Sequence, residues 1–189
     1  MRKIITLVLA SAFVLGMFSM SSCSNKQELL YGKWSATQNE FEDSENGPVK
    51  HEYTRTYEFK DDGKLIDSWV IKVDGQTLAT ASINGTYQFH EKDLDENDKA
   101  IGMITPTYDL STLKMEPGDV EISEADKAAL LDTFEQTYKE MNRQAEKADK
   151  ENESSLLQEK LYGFVVLSLD ETDLVLDQND QEVTYIKQE

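Results

Sequence analysis

Turn dipeptides at regular intervals constrain this chain more than any other feature. Asp62-Gly63, Asp74-Gly75 and Asn84-Gly85 follow one another at intervals of 12 and 10 residues. Asp-Gly and Asn-Gly tolerate positive φ at both central turn positions, so each suits a type I′ hairpin. The stretches between them are rich in strand-forming residues: Tyr53, Thr54, Thr56, Tyr57 and Phe59, then Leu65, Ile66, Trp69, Val70, Ile71 and Val73. Such spacing is that of a β-meander or barrel.

Alternation supports the same reading. Tyr53, Arg55, Tyr57 and Phe59 share one face of a strand, and Leu65, Trp69, Ile71 and Val73 share a face interrupted only by Asp67. Tyr87 and Phe89 fall on one face of the strand after Asn84-Gly85. A two-residue period with one apolar face marks a half-buried antiparallel strand. Beyond an acidic loop from Glu91 to Asp98, Ile101–Thr105 and Thr107–Met115 read as two strand segments, with a bulge or a sheet edge expected at Pro106.

One helix stands out. Ser123 and Asp126 have capping-box spacing. Leu131, Phe134, Tyr138, Met141, Ala145 and Ala148 then recur at steps of three and four, the stripe of an amphipathic helix. The helical insert is expected over about 123–160, with Leu156, Leu157 and Leu161 leading back into strands. Tyr162–Leu169, Leu174–Leu176 and Val183–Ile186 complete the chain, joined by turns at Asp170-Glu171 and Gln178–Asp180. The fold class is therefore mainly β: an antiparallel, eight-stranded meander barrel with one long helix before its last three strands. Eight strands close a barrel that holds side chains or one small ligand.

The N-terminus has the layout of a secretory signal peptide: basic Arg2 and Lys3, an apolar run from Ile4 to Phe18, then small polar residues to Ser22. The apolar run is shorter than the roughly 20 residues a spanning helix needs. Met20-Ser21-Ser22-Cys23 resembles a bacterial lipobox of the looser Bacteroidetes type. That resemblance implies cleavage before Cys23 and acylation of that cysteine, the only one in the chain. More than one acyl chain is needed for stable attachment, and the family's cysteine carries more than one. Residues 23–28 are then the lipidated cysteine and its tether, and 29–189 the barrel domain; the resemblance implies a place at the bacterial envelope, in the outer membrane, on either its periplasmic or its surface side. Removing residues 1–22 would leave 167 of 189 residues and shift the formal charge from −18 to −20. That charge repels nucleic acid and anionic headgroups.

The phrase Leu30-Tyr31-Gly32-Lys33-Trp34 resembles the G-x-W opening of lipocalin-like domains. Tyr57-Glu58-Phe59-Lys60-Asp61-Asp62-Gly63, Gly85-Thr86-Tyr87 and Leu169-Asp170-Glu171-Thr172-Asp173-Leu174-Val175-Leu176 are likewise similar to phrases of Bacteroidetes-type lipocalin-like lipoproteins. The resemblance implies a short extracytoplasmic barrel whose Gly32 and Trp34 close one end. Lipocalins often set an arginine near the chain end over that tryptophan, and the last strand here offers Lys187.

Tyr53, Arg55, Tyr57, Trp69 and Tyr87 are the candidate lining of a ligand cavity, because aromatics with polar tips line pockets while staying partly wet. They serve equally as barrel core. Arg55 between two tyrosines on an inward face must be paired or meet an anion. Asp67 is one partner, an anionic ligand group another; a solvent-facing strand face would need neither.

Metal, cofactor and catalytic signatures are weak. From Asp93 an EF-hand would need Gly at its sixth position and Glu at its twelfth, where Asp98 and Ile104 stand. His51 and His90 are the only histidines, and no nucleophile elbow, phosphate loop or dinucleotide fingerprint occurs. The expectation is a non-enzymatic lipoprotein without metal or cofactor, binding a small hydrophobic or amphipathic molecule in its barrel. The alternative is an interaction module whose inserted helix docks on an envelope protein.

Overall fold

Eight antiparallel strands run up and down in chain order and close into a barrel, each hydrogen-bonded to the next and the last to the first. The computed structural model describes residues 26–44, 47–91, 100–148, 163–178 and 181–189. The strands are β1 (Gly32–Ser44), β2 (Gly47–Phe59), β3 (Lys64–Val73), β4 (Gln76–Glu91), β5 (Gly102–Pro117), β6 (Phe164–Leu169), β7 (Asp173–Gln178) and β8 (Gln181–Gln188). A short helix, α1 (Lys26–Leu30), precedes β1, and α2 (Glu124–Ala148) lies between β5 and β6. The inserted helix thus sits before the last three strands, where its stripe placed it. The expected leader and Cys23, the acidic loop beyond Glu91, and Leu156, Leu157 and Leu161 lie outside the described residues.

Closure is uneven along the barrel axis. Among the described residues β1 meets β8 over Lys33–Ser35, and β5 meets β6 over Gly102–Ile104. β1 to β5 continue well past these seams, so one end is sealed on all sides and the other is a five-stranded sheet.

The sealed end is packed solid. Trp34, Phe59, Leu65, Ile104, Val166 and Leu174 are each at most 1% exposed. The Trp34 indole N–H donates to Leu30 O at 2.7 Å, tying α1 across the opening. Lys187 Nζ lies 4.8 Å from the Trp34 ring centre and donates to Leu29 O at 3.0 Å. Lys187 therefore lies over the Trp34 ring and ties β8 to α1. Gly32 makes this possible: its φ is +122°, and a Cβ there would stand 3.0 Å from Lys187 Cε. Residues 26–28, read from sequence as tether, belong to α1, and Lys26 pairs with Glu91 at 2.9 Å.

The turns divide the expectations. Asp74 and Gly75 both have positive φ, +48° and +80°, as a type I′ hairpin requires. At Asp62-Gly63 only the glycine does, at +76°, and Gly63 N donates to Lys60 O at 3.1 Å. That is a type I turn closed by a left-handed glycine rather than the expected type I′. Asn84-Gly85 makes no turn at all. β4 runs straight through it, with a register shift between Ser82 and Asn84. Gly85 is needed for closeness instead, since a Cβ would fall 2.4 Å from Thr107 O on β5.

Pro106 does not divide its segment, because β5 continues from Gly102 to Pro117 and no register shift occurs there. Among the described residues the edge reading holds: Pro106 pairs with Tyr87 on one side, and β6 pairs with β5 as far as Ile104 on the other. Tyr108, of the same parity, sends both N–H and C=O away from β4. The proline nitrogen points the same way, so its missing N–H takes no hydrogen bond from the β4 ladder.

Ser123 caps α2 as its spacing predicts. Its Oγ accepts from Asp126 N at 3.1 Å and donates to Asp126 Oδ2 at 2.6 Å. The stripe faces the barrel: Tyr138 and Ala145 are buried, and Leu131, Phe134 and Met141 are half-buried. Among the described residues no helix is long and apolar enough to cross a membrane.

Candidate functional site: a paired arginine in the open half

Strand parity places Arg55 and Asp67 on the barrel's inner face. β2 and β3 pair Tyr57 with Asp67 and Arg55 with Trp69, so the two charged residues are diagonal neighbours. Arg55 Nε donates to Asp67 Oδ1 at 3.1 Å, and Nη2 donates to Oδ2 at 2.6 Å. This fork-to-carboxylate geometry is the strongest ion-pair arrangement available to arginine. Asp67 is fully buried, and the Arg55 side chain is 13% exposed.

Two further donors converge on Asp67. The hydroxyls of Tyr108 on β5 and Tyr138 on α2 each reach Oδ2 at 3.1 Å. The Tyr138 oxygen in turn accepts from Trp69 Nε1 at 3.2 Å. Aromatic rings enclose the cation: Arg55 Cζ lies 4.5 Å from the Tyr57 ring centre, 4.6 Å from Trp69 and 5.6 Å from Phe164. Rings over a guanidinium face add cation–π attraction that survives burial.

The environment fixes the protonation states. Burial is the largest influence on Arg55 and works against its charge, but Asp67 and the nearby tyrosine oxygens outweigh it, and its pKa stands above the ordinary value. Burial drives the Tyr57 and Tyr108 hydroxyls well above the usual phenol range, Asp67 pushing the same way and Arg55 opposing. Tyr138 is raised for the same reasons. The hydroxyls of Tyr108 and Tyr138 that serve the pair are thus held neutral.

α2 is fastened to this network at a second point. Asn142 Oδ1 accepts from Tyr108 N, and its Nδ2 donates to Tyr108 O, both at 2.7 Å.

Of the five candidate cavity residues, the structure brings three together: Arg55, Tyr57 and Trp69. Tyr53 sits one inward step farther along β2, half-buried, opposite Gln38 and Ile71 and stacked on His51 with ring centres 6.4 Å apart. Tyr87 lies at the sealed end. Its ring meets Phe59 at 4.9 Å and its hydroxyl donates to Lys60 O at 2.9 Å. Burial lifts its pKa to about 12. Gly32 and Trp34 belong to that same end. Sequence reasoning missed Tyr108, Tyr138 and Phe164 as partners of Arg55 and Asp67, and Asn142 as the partner of the Tyr108 backbone. Tyr138 was visible only as a member of the helix stripe. Among the described residues no group of three or more His, Cys, Asp or Glu side chains is placed to hold a metal ion.

These residues define a class: a small antiparallel barrel, sealed at one end by a tryptophan and a lysine, with a helix laid over a buried ion pair toward the other. No family model and no curated protein matches the chain.

Proposed function

We propose that this chain is a lipid-anchored binding protein of the bacterial envelope that holds one small, partly apolar molecule in the open half of its barrel. The carrying observation is the contrast between the two halves. The sealed end is filled by side chains, whereas Arg55, Trp69 and Tyr53 line the inner wall of the open half and keep partial contact with solvent. An inner wall of aromatic and aliphatic groups with a few fixed polar donors is the usual make-up of a small-molecule site. The alternative, a helix docking outward on an envelope protein, loses its main support, because α2 uses its apolar stripe against the barrel. The face it leaves outward carries Asp132, Thr133, Gln136, Lys139, Glu140 and Arg143. The anchor rests on the resemblance of Met20-Ser21-Ser22-Cys23 to a lipobox.

The test is mass spectrometry of an organic extract from the protein purified from its host. A stoichiometric small molecule that is lost on Trp69→Ala supports the reading and names the cargo. A clean extract, repeated after exposure to envelope lipids, would count against it. Retention of a Cys23→Ala protein at the membrane would dismiss the anchor separately.

A further inference from the structure

Arg55 has donors to spare. A guanidinium carries five N–H bonds. One on Nε and one on Nη2 go to Asp67. The two on Nη1 and the second on Nη2 have no acceptor among the described residues, although rings cover the guanidinium and its side chain is only 13% exposed. The inner wall therefore presents charged donors that no described protein group accepts from, and such donors favour a ligand acceptor that displaces water from them.

Charge decides which acceptor. Asp67 already neutralises Arg55, and the Tyr108 and Tyr138 hydroxyls both point at Asp67. A second carboxylate would come to lie one guanidinium width from the first, in a poorly solvated site, with no positive charge left to answer it. It would also surrender its own hydration, the largest cost of burying an ion. An uncharged carbonyl surrenders little and gains a hydrogen bond from a charged donor. The chain's formal charge of −18 works in the same direction.

Resting on the ligand-holding reading above, we propose that the bound molecule presents a neutral acyl carbonyl, an amide or an ester, to the free edge of Arg55, and that the site rejects the corresponding carboxylate. Its apolar part lies along Trp69 and the inner wall toward Tyr53. Selectivity of this kind is a difference of affinities, built from one satisfied donor set and one uncompensated charge.

Trp69 supplies the readout, since it stacks on Arg55 while the other tryptophan, Trp34, is buried at the sealed end. The full chain is titrated at pH 8 with decanamide, methyl decanoate and decanoate, following tryptophan emission, with Trp69→Phe as the control for signal origin. Decanamide and methyl decanoate should bind saturably, with decanoate at least about tenfold weaker. Decanoate should tighten as pH falls toward its own pKa and the uncharged acid forms, a measurement that needs no variant. Arg55→Lys, which keeps a charge for Asp67 but not the planar fork, should bring the amide and the carboxylate close together. Decanoate binding at pH 8 as tightly as decanamide would overturn the neutral-carbonyl inference and leave the carrier reading standing. No saturable response to any of the three, with the barrel intact by circular dichroism, would remove both.

Discussion

Asn142 takes the place of a missing strand at Tyr108. Its side-chain amide accepts from Tyr108 N and donates to Tyr108 O, both at 2.7 Å, as a neighbouring strand would. Among the described residues no strand pairs there, since β6 meets β5 as far as Ile104. A sheet edge inside a fold exposes backbone groups that must find partners. The helix supplies them, and the same step along α2 brings the Tyr138 hydroxyl to Asp67.

Asn142→Ala should therefore loosen the helix from the barrel. Two partly buried backbone groups lose their partner, at a cost of about 1–3 kcal/mol. Urea unfolding gives the total, and hydrogen exchange gives the location. The Tyr108 amide should exchange faster, while the Trp34 indole N–H at the sealed end stays protected. Uniform acceleration at both would show instead that helix and barrel unfold as one unit.

Arg55 and Asp67 should be strongly coupled. Arg55→Met strands a buried carboxylate and should cost about 3–5 kcal/mol. Arg55→Met combined with Asp67→Leu should cost clearly less than the sum of the two single changes, because the pair's desolvation is removed with its attraction. Two tyrosine hydroxyls lose their acceptor in the double variant, so full recovery is not expected. Additivity of the denaturation free energies to within about 0.5 kcal/mol would contradict the coupling.

Stability should fall in alkali. Tyr57, Tyr108 and Tyr138 are held above their ordinary pKa near 10, and Tyr87 is raised to about 12. The unfolded chain ionises first, so it binds fewer protons than the folded one above pH 10. Stability from these groups is then complete below about pH 10 and is lost as pH rises through their folded values. For Tyr87 the window runs from 10 to about 12. Each such group contributes a slope of up to about 1.4 kcal/mol per pH unit there. Urea midpoints measured upward from pH 8 should stay level and then drop, and Tyr87→Phe should make the drop shallower. A level profile to pH 12 would refute the burial argument.

Much of the architecture was legible because its signals are local. Asp74-Gly75 became the type I′ hairpin its dihedral tolerance permits. Ser123 began the helix, because a hydroxyl next to free N–H groups is a nearest-neighbour effect. The inward parity of Arg55 followed from alternation, and Asp67 was nameable as its partner because only one hairpin separates them.

Other features were decided by the closed barrel. Asn84-Gly85 has the chemistry of a turn, yet β4 passes through it, because Thr107 O approaches too closely for any other residue than glycine. Tyr108 and Tyr138 reach Asp67 across 41 and 71 residues of chain. Lys187 crosses Trp34 to reach Leu29, 158 residues away. No periodicity encodes such meetings, since they depend on strand register, on where the seams end and on how α2 lies over β5. The sequence by itself determined a meander of alternating strands with one capped helix, through dihedral preference and side-chain period. Which residues would share the buried charge of Asp67 was decided only when closure set the register and brought distant hydroxyls to the carboxylate.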